Sequence, residues 1–121
     1  LRTSPAGNPL AIDSDDFSEA ALDPSRWSFV DPNGDSDLEF DAQRLAISVP
    51  ATSTHDAWTQ TNGNQLARVM QAAPDTDFEI EARFESDVTH ESQAQGVLFE
   101  QDLDDYMKIE ILRFAGAKRL F

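Results

Sequence analysis

A nearly uncharged polar stretch, residues 45–73, carries the side chains best suited to binding a ligand. It holds one acid and one arginine, although the whole chain has a net charge of −14. An aromatic ring can stack on the C–H patches of a sugar, and short polar side chains can hydrogen-bond its hydroxyls. We therefore predict a site for a neutral, polyhydroxylated ligand, formed by Asp56, Trp58, Asn62, Asn64 and Arg68. The alternative is a polar loop whose tryptophan packs into the core.

Two further amides, Gln95 and Gln101, flank the apolar segment 97–99 and are expected to contribute to the same surface. That segment is apolar on both faces, which favours a strand at the centre of a sheet. Trp27 precedes an apolar pair at the start of a predicted strand, so we expect it to lie in the core.

Carboxylate pairs raise the alternative of a glycoside hydrolase, which needs two carboxyl groups about 5–5.5 Å or about 6.5–9.5 Å apart. Glu79 and Glu81 would lie about 7 Å apart on one face of a strand. Glu100 with Asp102 is a second candidate pair. Acids continue along the face of the first pair, as on an ordinary solvated surface, so we predict no catalytic residue and no enzyme activity.

Metal and cofactor chemistry has little support in the sequence. The acidic turn 102–105 and the alternating acids of residues 31–37 provide oxygen ligands of the kind calcium takes, but solvated turns explain them better. His55 and His90 lack the spacing of zinc ligands, and the chain has no cysteine. We predict no cofactor and no metal site, with structural calcium left as an open alternative.

The charge balance excludes some partners. The chain contains 23 acids and nine bases, and Lys108 and Lys118 are the only lysines. Such a field repels phosphate backbones and anionic lipid, so we expect neither nucleic acid nor a membrane as partner. Adaptation to high salt explains acids spread along the chain better than cation binding does. No apolar run could span a membrane, and no signal peptide is recognisable.

The hydrophobic pattern predicts an all-β fold. Apolar residues alternate with polar ones along 78–84 and 106–111, and residues 38–49 read as a hairpin with its turn at 41–44. Short strands separated by turn signals indicate an antiparallel β-sandwich or jelly roll. We expect a flexible N-terminal segment, residues 1–12, followed by one sandwich domain, residues 13–121.

The last residues resemble the start of a strand that then stops, since Arg119, Leu120 and Phe121 follow a turn at 115–117. A sheet ending in this way leaves an open apolar edge, which folded proteins normally cover. We expect a homo-oligomer or a partner chain to pair there. A longer protein or a frayed tail are the alternatives.

Several motifs together resemble the concanavalin A-like lectin/glucanase superfamily, in its bacterial, laminin-G-like branch often attached to glycoside hydrolases. The similarity runs from about Asp15 to Phe114, in five short segments whose order and spacing carry it: Asp15–Phe17, Leu22–Trp27, His55–Trp58, Asp77–Phe84 and Gln95–Met107. The resemblance implies two facing antiparallel sheets and a role in carbohydrate recognition. Domains of this family are longer, so it also implies that the C-terminal strands of the jelly roll are missing.

The catalytic signature of the related glucanases, Glu-x-Asp-x-x-Glu, is absent, because Glu81 and Phe84 stand where its second and third acids should be. The resemblance thus favours a non-catalytic, lectin-like domain for a neutral poly- or oligosaccharide, secreted by a salt-adapted organism. A half-sandwich interaction module, completed by another chain, is the first alternative. A glycoside hydrolase is the second.

Overall fold

The computed structural model describes residues 12–41, 43–56, 64–102 and 105–121, and these ranges form β-strands and turns without a helix. The strands in these ranges are β1 (Ser28–Val30), β2 (Asp37–Phe40), β3 (Leu45–Ser48), β4 (Arg68–Met70), β5 (Ala94–Glu100), β6 (Tyr106–Phe114) and β7 (Ala117–Leu120). All pairings are antiparallel, in the sheets β1–β4, β2–β3 and β5–β6–β7. The predicted all-β class is confirmed.

The chain divides into two compact units, Leu1–Glu81 and Ala82–Phe121. In the described part of the first unit, β2 and β3 form the predicted hairpin, in which Leu38 lies opposite Ile47 and Phe40 opposite Leu45. Alternating apolar side chains therefore share one face, the half-buried one.

Trp27 lies in the core of the first unit, as predicted, with 9% of its surface exposed. Its indole N–H donates to Asp15 Oδ2 over 2.9 Å, and its ring lies 5.5 Å from that of Phe17. Ile12, 6% exposed, is buried nearby in sequence. The side-chain amide of Gln71 holds the same segment, since it accepts from Asp13 N and donates to Asp13 O. Residues 13–17 thus dock through specific polar contacts.

The second unit is built on β6, which pairs with β5 on one side and β7 on the other. Gly96 lies opposite Glu110 in this sheet. A Cβ at position 96 would overlap Ile109 O and would lie 2.7 Å from Glu110 Cα, closer than atoms pack. The strands therefore approach at a point that only glycine allows.

The alternation along β6 is confirmed, but its polar side is the better covered one. Lys108 Nζ lies 2.8 Å from Glu110 Oε1, and these side chains are 16% and 12% exposed. On the opposite face, Met107 is 58% exposed and Ile109 is 47% exposed. The more apolar face of this strand thus remains open to solvent.

The strand predicted over residues 78–84 is wrong for this structure, which has no strand there. Phe78 is 45% exposed and Phe84 is 41% exposed, so both side chains are more exposed than the pattern predicts. A period of two identifies the two faces of a strand but not the neighbour that must pair with it.

The described residues include no helix of the length and apolarity needed to cross a membrane. Of the predicted segments, residues 1–11, Trp58, Asn62 and Asp104 lie outside the described residues.

Candidate functional site

Two turns of the first unit are tied together just before the segment that contains Trp58. The first turn, residues 31–36, follows β1, and its Gly34 N donates to Asp31 O over 3.1 Å. The second turn, residues 51–56, follows β3. Asn33 Nδ2 joins them by donating to Thr54 O over 2.8 Å.

The carboxylate of Asp35 makes two further links between these turns. Its Oδ1 lies 2.7 Å from His55 Nε2, and its Oδ2 accepts from Ser53 Oγ over 2.5 Å. His55 is 9% exposed and Asp35 is 29% exposed in their side chains, so the contact is partly shielded from water. The hydrogen bond from His55, followed by that from Ser53, lowers the pKa of Asp35 below its usual value. We call Asp35, Ser53 and His55 the clamp.

The clamp contains the three residue types of a hydrolytic triad, but its hydrogen bonds connect them in a different order. In a triad, histidine lies between the nucleophilic hydroxyl and the carboxylate, so that it can take the hydroxyl proton. Here the carboxylate of Asp35 lies in the middle, and Ser53 Oγ donates to it. The arrangement positions loops and does not activate the serine.

A backbone hydrogen bond closes the loop that follows the clamp. Gln65 N donates to Asp56 O over 2.9 Å, which brings together the two ends of the segment 57–63. That segment carries the predicted ligand-binding residues Trp58 and Asn62, which lie outside the described residues. Asp56, a third predicted residue, thus stands at the base of the loop.

Asn64 stands at the other end of the same loop and is 2% exposed. Its Oδ1 accepts from Leu66 N over 3.0 Å, which fixes the backbone as the chain leaves the loop. Its Nδ2 is buried and has no hydrogen-bond partner among the residues that the structure describes.

Arg68, 9% exposed, is directed into the protein. Its Nη1 donates to Leu66 O over 2.8 Å and to Asn64 O over 3.5 Å. Arg68 also pairs with Val30 across β4 and β1, directly before the turn at 31–36. The structure therefore brings Asp56, Asn64 and Arg68 into one region, where the arginine supports the backbone at the exit of the loop.

Gln95 and Gln101 belong to the second unit. Gln95 Oε1 accepts from Ser86 Oγ and its Nε2 donates to Ser86 O, both over 2.7 Å. Gln101 N donates to Asp105 O over 2.9 Å in the turn between β5 and β6. The amide of Gln95 is thus engaged in holding residue 86 beside β5.

The acids that the sequence offers for catalysis or metal binding do not have the positions expected from strand and turn geometry. Glu79 and Glu81 are not on a strand, so the spacing expected from strand geometry does not apply to them. Asp102 Oδ1 accepts from Asp105 N over 2.8 Å, which caps the turn. Within the described ranges, no group of three histidine and acidic side chains converges to hold a metal ion.

Comparison with protein-family models, with curated proteins and with solved structures found no match to the chain. The candidate site therefore rests on its own geometry.

Sequence reasoning missed the clamp. The sequence presents Asp35 as part of an acidic alternation, and His55 as a histidine without zinc-ligand spacing and as the first residue of a family-like motif, and the two are separated by 20 positions. The available signal was the composition of two separate segments: residues 52–55 contain three hydroxyls and an imidazole, and residues 31–37 contain three acids.

Proposed function

We propose that the chain is a non-catalytic, lectin-like domain that binds a neutral poly- or oligosaccharide through the loop 57–63. The observation that carries this proposal is the framework at the base of that loop. Asp56 and Gln65 hold its ends together over 2.9 Å, and the clamp fixes the residues directly before it. Fixed flanking residues lower the entropic cost of ordering a binding segment between them.

The residues of the loop fit a sugar better than a charged ligand. Trp58 offers a ring for stacking, and Asp56 and Asn62 offer groups for bonding hydroxyls. In a chain with a net charge of −14, a stretch with two formal charges favours a neutral ligand. The clamp lacks the connections of a hydrolytic triad, which supports binding without turnover.

The same proposal includes the jelly roll of the concanavalin A-like superfamily, in its laminin-G-like branch. The support is the all-antiparallel pairing and the contacts among the motif residues, since Asp15 and Phe17 both contact Trp27. We also propose that the protein acts outside the cell in a salt-adapted organism. Its acidic composition and scarcity of lysine support this setting.

Titration calorimetry against a panel of neutral oligosaccharides tests the binding proposal. An exposed stacking site should give affinities in the micromolar to millimolar range, about −8 to −4 kcal/mol. Trp58→Ala should abolish measurable binding, whereas Trp58→Tyr, which keeps an aromatic face, should retain part of it. Equal binding by the wild type and Trp58→Ala, or no binding to any glycan, would contradict the proposal.

A second function, pairing with another chain through an open sheet edge, is favoured by β7. Each of its four residues is exposed, and the strand pairs on one side only among the described residues. A row of unpaired backbone groups is a template for another strand. Measuring the mass in solution tests this: a monomer of 13.4 kDa at every concentration, with no partner strand bound, would contradict it.

A further inference from the structure

Two Asp–Pro peptide bonds in the first unit differ in how their carboxylates are held. Asp23 precedes Pro24, and Asp31 precedes Pro32. The carboxylate of such an aspartate can attack its own peptide carbonyl, because the attack closes a five-membered ring and proximity strongly favours reactions within one residue. Proline has no backbone N–H, so its nitrogen cannot attack the side chain instead. An Asp–Pro bond is therefore a point at which a chain can cut itself.

Asp31 has one carboxylate oxygen without a partner. Its Oδ2 accepts from Ser36 N over 3.1 Å, whereas its Oδ1 is buried and has no hydrogen-bond partner among the described residues. A buried oxygen in this state is costly to keep, and such a group calls for an explanation. Oδ1 has no donor to lose before it reacts, and it needs no opening to solvent to reach a carbonyl of its own residue. It is thus available as a nucleophile.

The peptide carbonyl that Oδ1 would attack is polarised by a backbone donor. Asp31 O accepts from Gly34 N over 3.1 Å. An N–H group in this position stabilises the negative charge that develops on the oxygen when the carbonyl carbon is attacked. Pro32 is exposed, so solvent can protonate its nitrogen as it leaves. The nucleophile, the polarised carbonyl and the accessible leaving group all belong to one peptide bond.

Asp23 provides a matched comparison within the same chain. Its O accepts from Arg26 N and Trp27 N over 3.1 and 2.9 Å, so this carbonyl is polarised as well. Its carboxylate differs, since Oδ1 accepts from Ser25 N and Ser25 Oγ over 2.9 and 2.7 Å and Oδ2 lies 3.6 Å from Arg26 Nε. The side-chain hydrogen bond of Ser25, followed by its backbone hydrogen bond, lowers the pKa of Asp23. A carboxylate stabilised on both oxygens is the weaker nucleophile.

We propose that the chain cleaves itself between Asp31 and Pro32. Asp31 Oδ1 bonds to the carbonyl carbon of its own residue, and the C–N bond to Pro32 breaks. The electron pair of that bond and a proton from solvent go to the proline nitrogen. Water then opens the cyclic anhydride, which leaves two carboxyl groups on Asp31 and a free amine on Pro32. The overall change is hydrolysis by one water molecule.

The cut falls in the turn between β1 and β2, and noncovalent contacts continue to join the two pieces. β1 pairs with β4 along its whole length, and the side-chain amide of Gln71 bonds both the N and the O of Asp13. Fragment 1–31 should therefore stay docked on the rest of the first unit. We expect one species in solution that separates into fragments 1–31 and 32–121 only on denaturation.

Incubation of the native full chain in mildly acidic buffer, followed by denaturing electrophoresis and mass spectrometry, tests the proposal. Fragments 1–31 and 32–121 should accumulate at least about tenfold faster than the products of a cut after Asp23, the effect of one hydrogen bond to a charged group. Asp31→Asn keeps an acceptor for Ser36 N and should abolish these fragments. Asp23→Asn is the matched control and should leave their rate unchanged.

Pro32→Ala is a second variant, which leaves Asp31 in place. It should also slow the cut, because a nitrogen that carries a hydrogen attacks the side chain instead. Circular dichroism verifies that each variant is folded before incubation. In denaturant, where the contacts that distinguish the two carboxylates are lost, both Asp–Pro bonds should be cut at similar rates. A native chain that stays intact, equal cutting of both bonds in the native chain, or unchanged cutting in Asp31→Asn or Pro32→Ala would overturn the proposal.

Discussion

His55 Nε2 lies 2.7 Å from Asp35 Oδ1, and this contact joins two turns that are separated by the whole β2–β3 hairpin. Ser53 Oγ reaches the other oxygen of the same carboxylate over 2.5 Å. A single side chain thus fixes the entry to the loop on which the proposed binding site depends. A carboxylate that accepts two side-chain hydrogen bonds gains stability in its ionised form, which links the clamp to pH.

Asp35→Asn should lower the thermal unfolding midpoint at neutral pH, because the amide keeps the shape but removes the charge that His55 and Ser53 stabilise. The folded-state pKa of Asp35 lies below its ordinary value of 3.8. Its stabilising effect is therefore full above that value and is lost as the pH falls through the lower, folded-state pKa.

The difference in midpoint between the wild type and Asp35→Asn should accordingly shrink in acid, when measured by calorimetry from neutral pH down to the low-pH limit of folding. Asp75→Asn, a substitution of an exposed acid in a bend, removes the same charge and serves as control. A constant difference across the whole range would show that the clamp does not depend on ionised Asp35.

Trp27→Phe should destabilise the first unit by about 1 kcal/mol through loss of the indole hydrogen bond, in addition to the cost of the smaller ring. The bond runs from Nε1 to Asp15 Oδ2 over 2.9 Å. Asp15→Asn, which retains an acceptor oxygen, should cost less than Asp15→Ala. Chemical denaturation monitored by tryptophan fluorescence and circular dichroism measures all three, and equal stabilities of the two Asp15 variants would contradict the assigned bond.

The parts of the fold that the sequence predicts are those set by neighbouring residues. Leu38, Phe40, Leu45 and Ile47 alternate on both sides of a short turn, so pattern and turn together specify the β2–β3 hairpin. The segment 78–84 has a stronger alternation, yet it forms no strand. A strand needs a paired neighbour as well as two faces, and the pattern carries no information about that neighbour.

The sequence predicts only part of the candidate site, because it does not show which distant residues come into contact. Asp56, Asn64 and Arg68 lie within 13 residues of one another, and the structure places them in one region. Its type and its place in the nearly uncharged stretch predict that Arg68 binds hydroxyls, but its neighbours Asn64 and Leu66 supply backbone carbonyls that accept from its Nη1. The pairing of Asp35 with His55 depends on how the hairpin folds back, and the composition of residues 52–55 does not indicate which acid His55 contacts.

Asn64→Ala should destabilise the first unit by about 1–3 kcal/mol, because it leaves the Leu66 N–H without the oxygen that lies 3.0 Å away. It should also weaken glycan binding, since the exit of the loop loses its fixed geometry. Asn64→Ser, with a short acceptor, should recover part of both. Urea denaturation and calorimetric titration measure the two effects, and unchanged stability in Asn64→Ala would show that the backbone at residue 66 is held by other groups.

Gly96→Ala should destabilise the second unit by about 1–3 kcal/mol, the usual cost of overpacking, and disturb the pairing of β5 with β6. The added Cβ would overlap Ile109 O and lie 2.7 Å from Glu110 Cα, so the two strands must separate to accommodate it. Gly34→Ala is the informative control. Position 34 has a φ of +68° with no atom within 4 Å of a new Cβ, so the cost of Gly34→Ala comes from conformation alone, about 1–2 kcal/mol.

Hydrogen exchange distinguishes the two variants: Gly96→Ala should increase exchange along β5 and β6, whereas Gly34→Ala should leave those amides unchanged. Unaltered exchange at Val97, Ile109 and Ile111 in Gly96→Ala would show that the close approach of these strands is not required for the sheet.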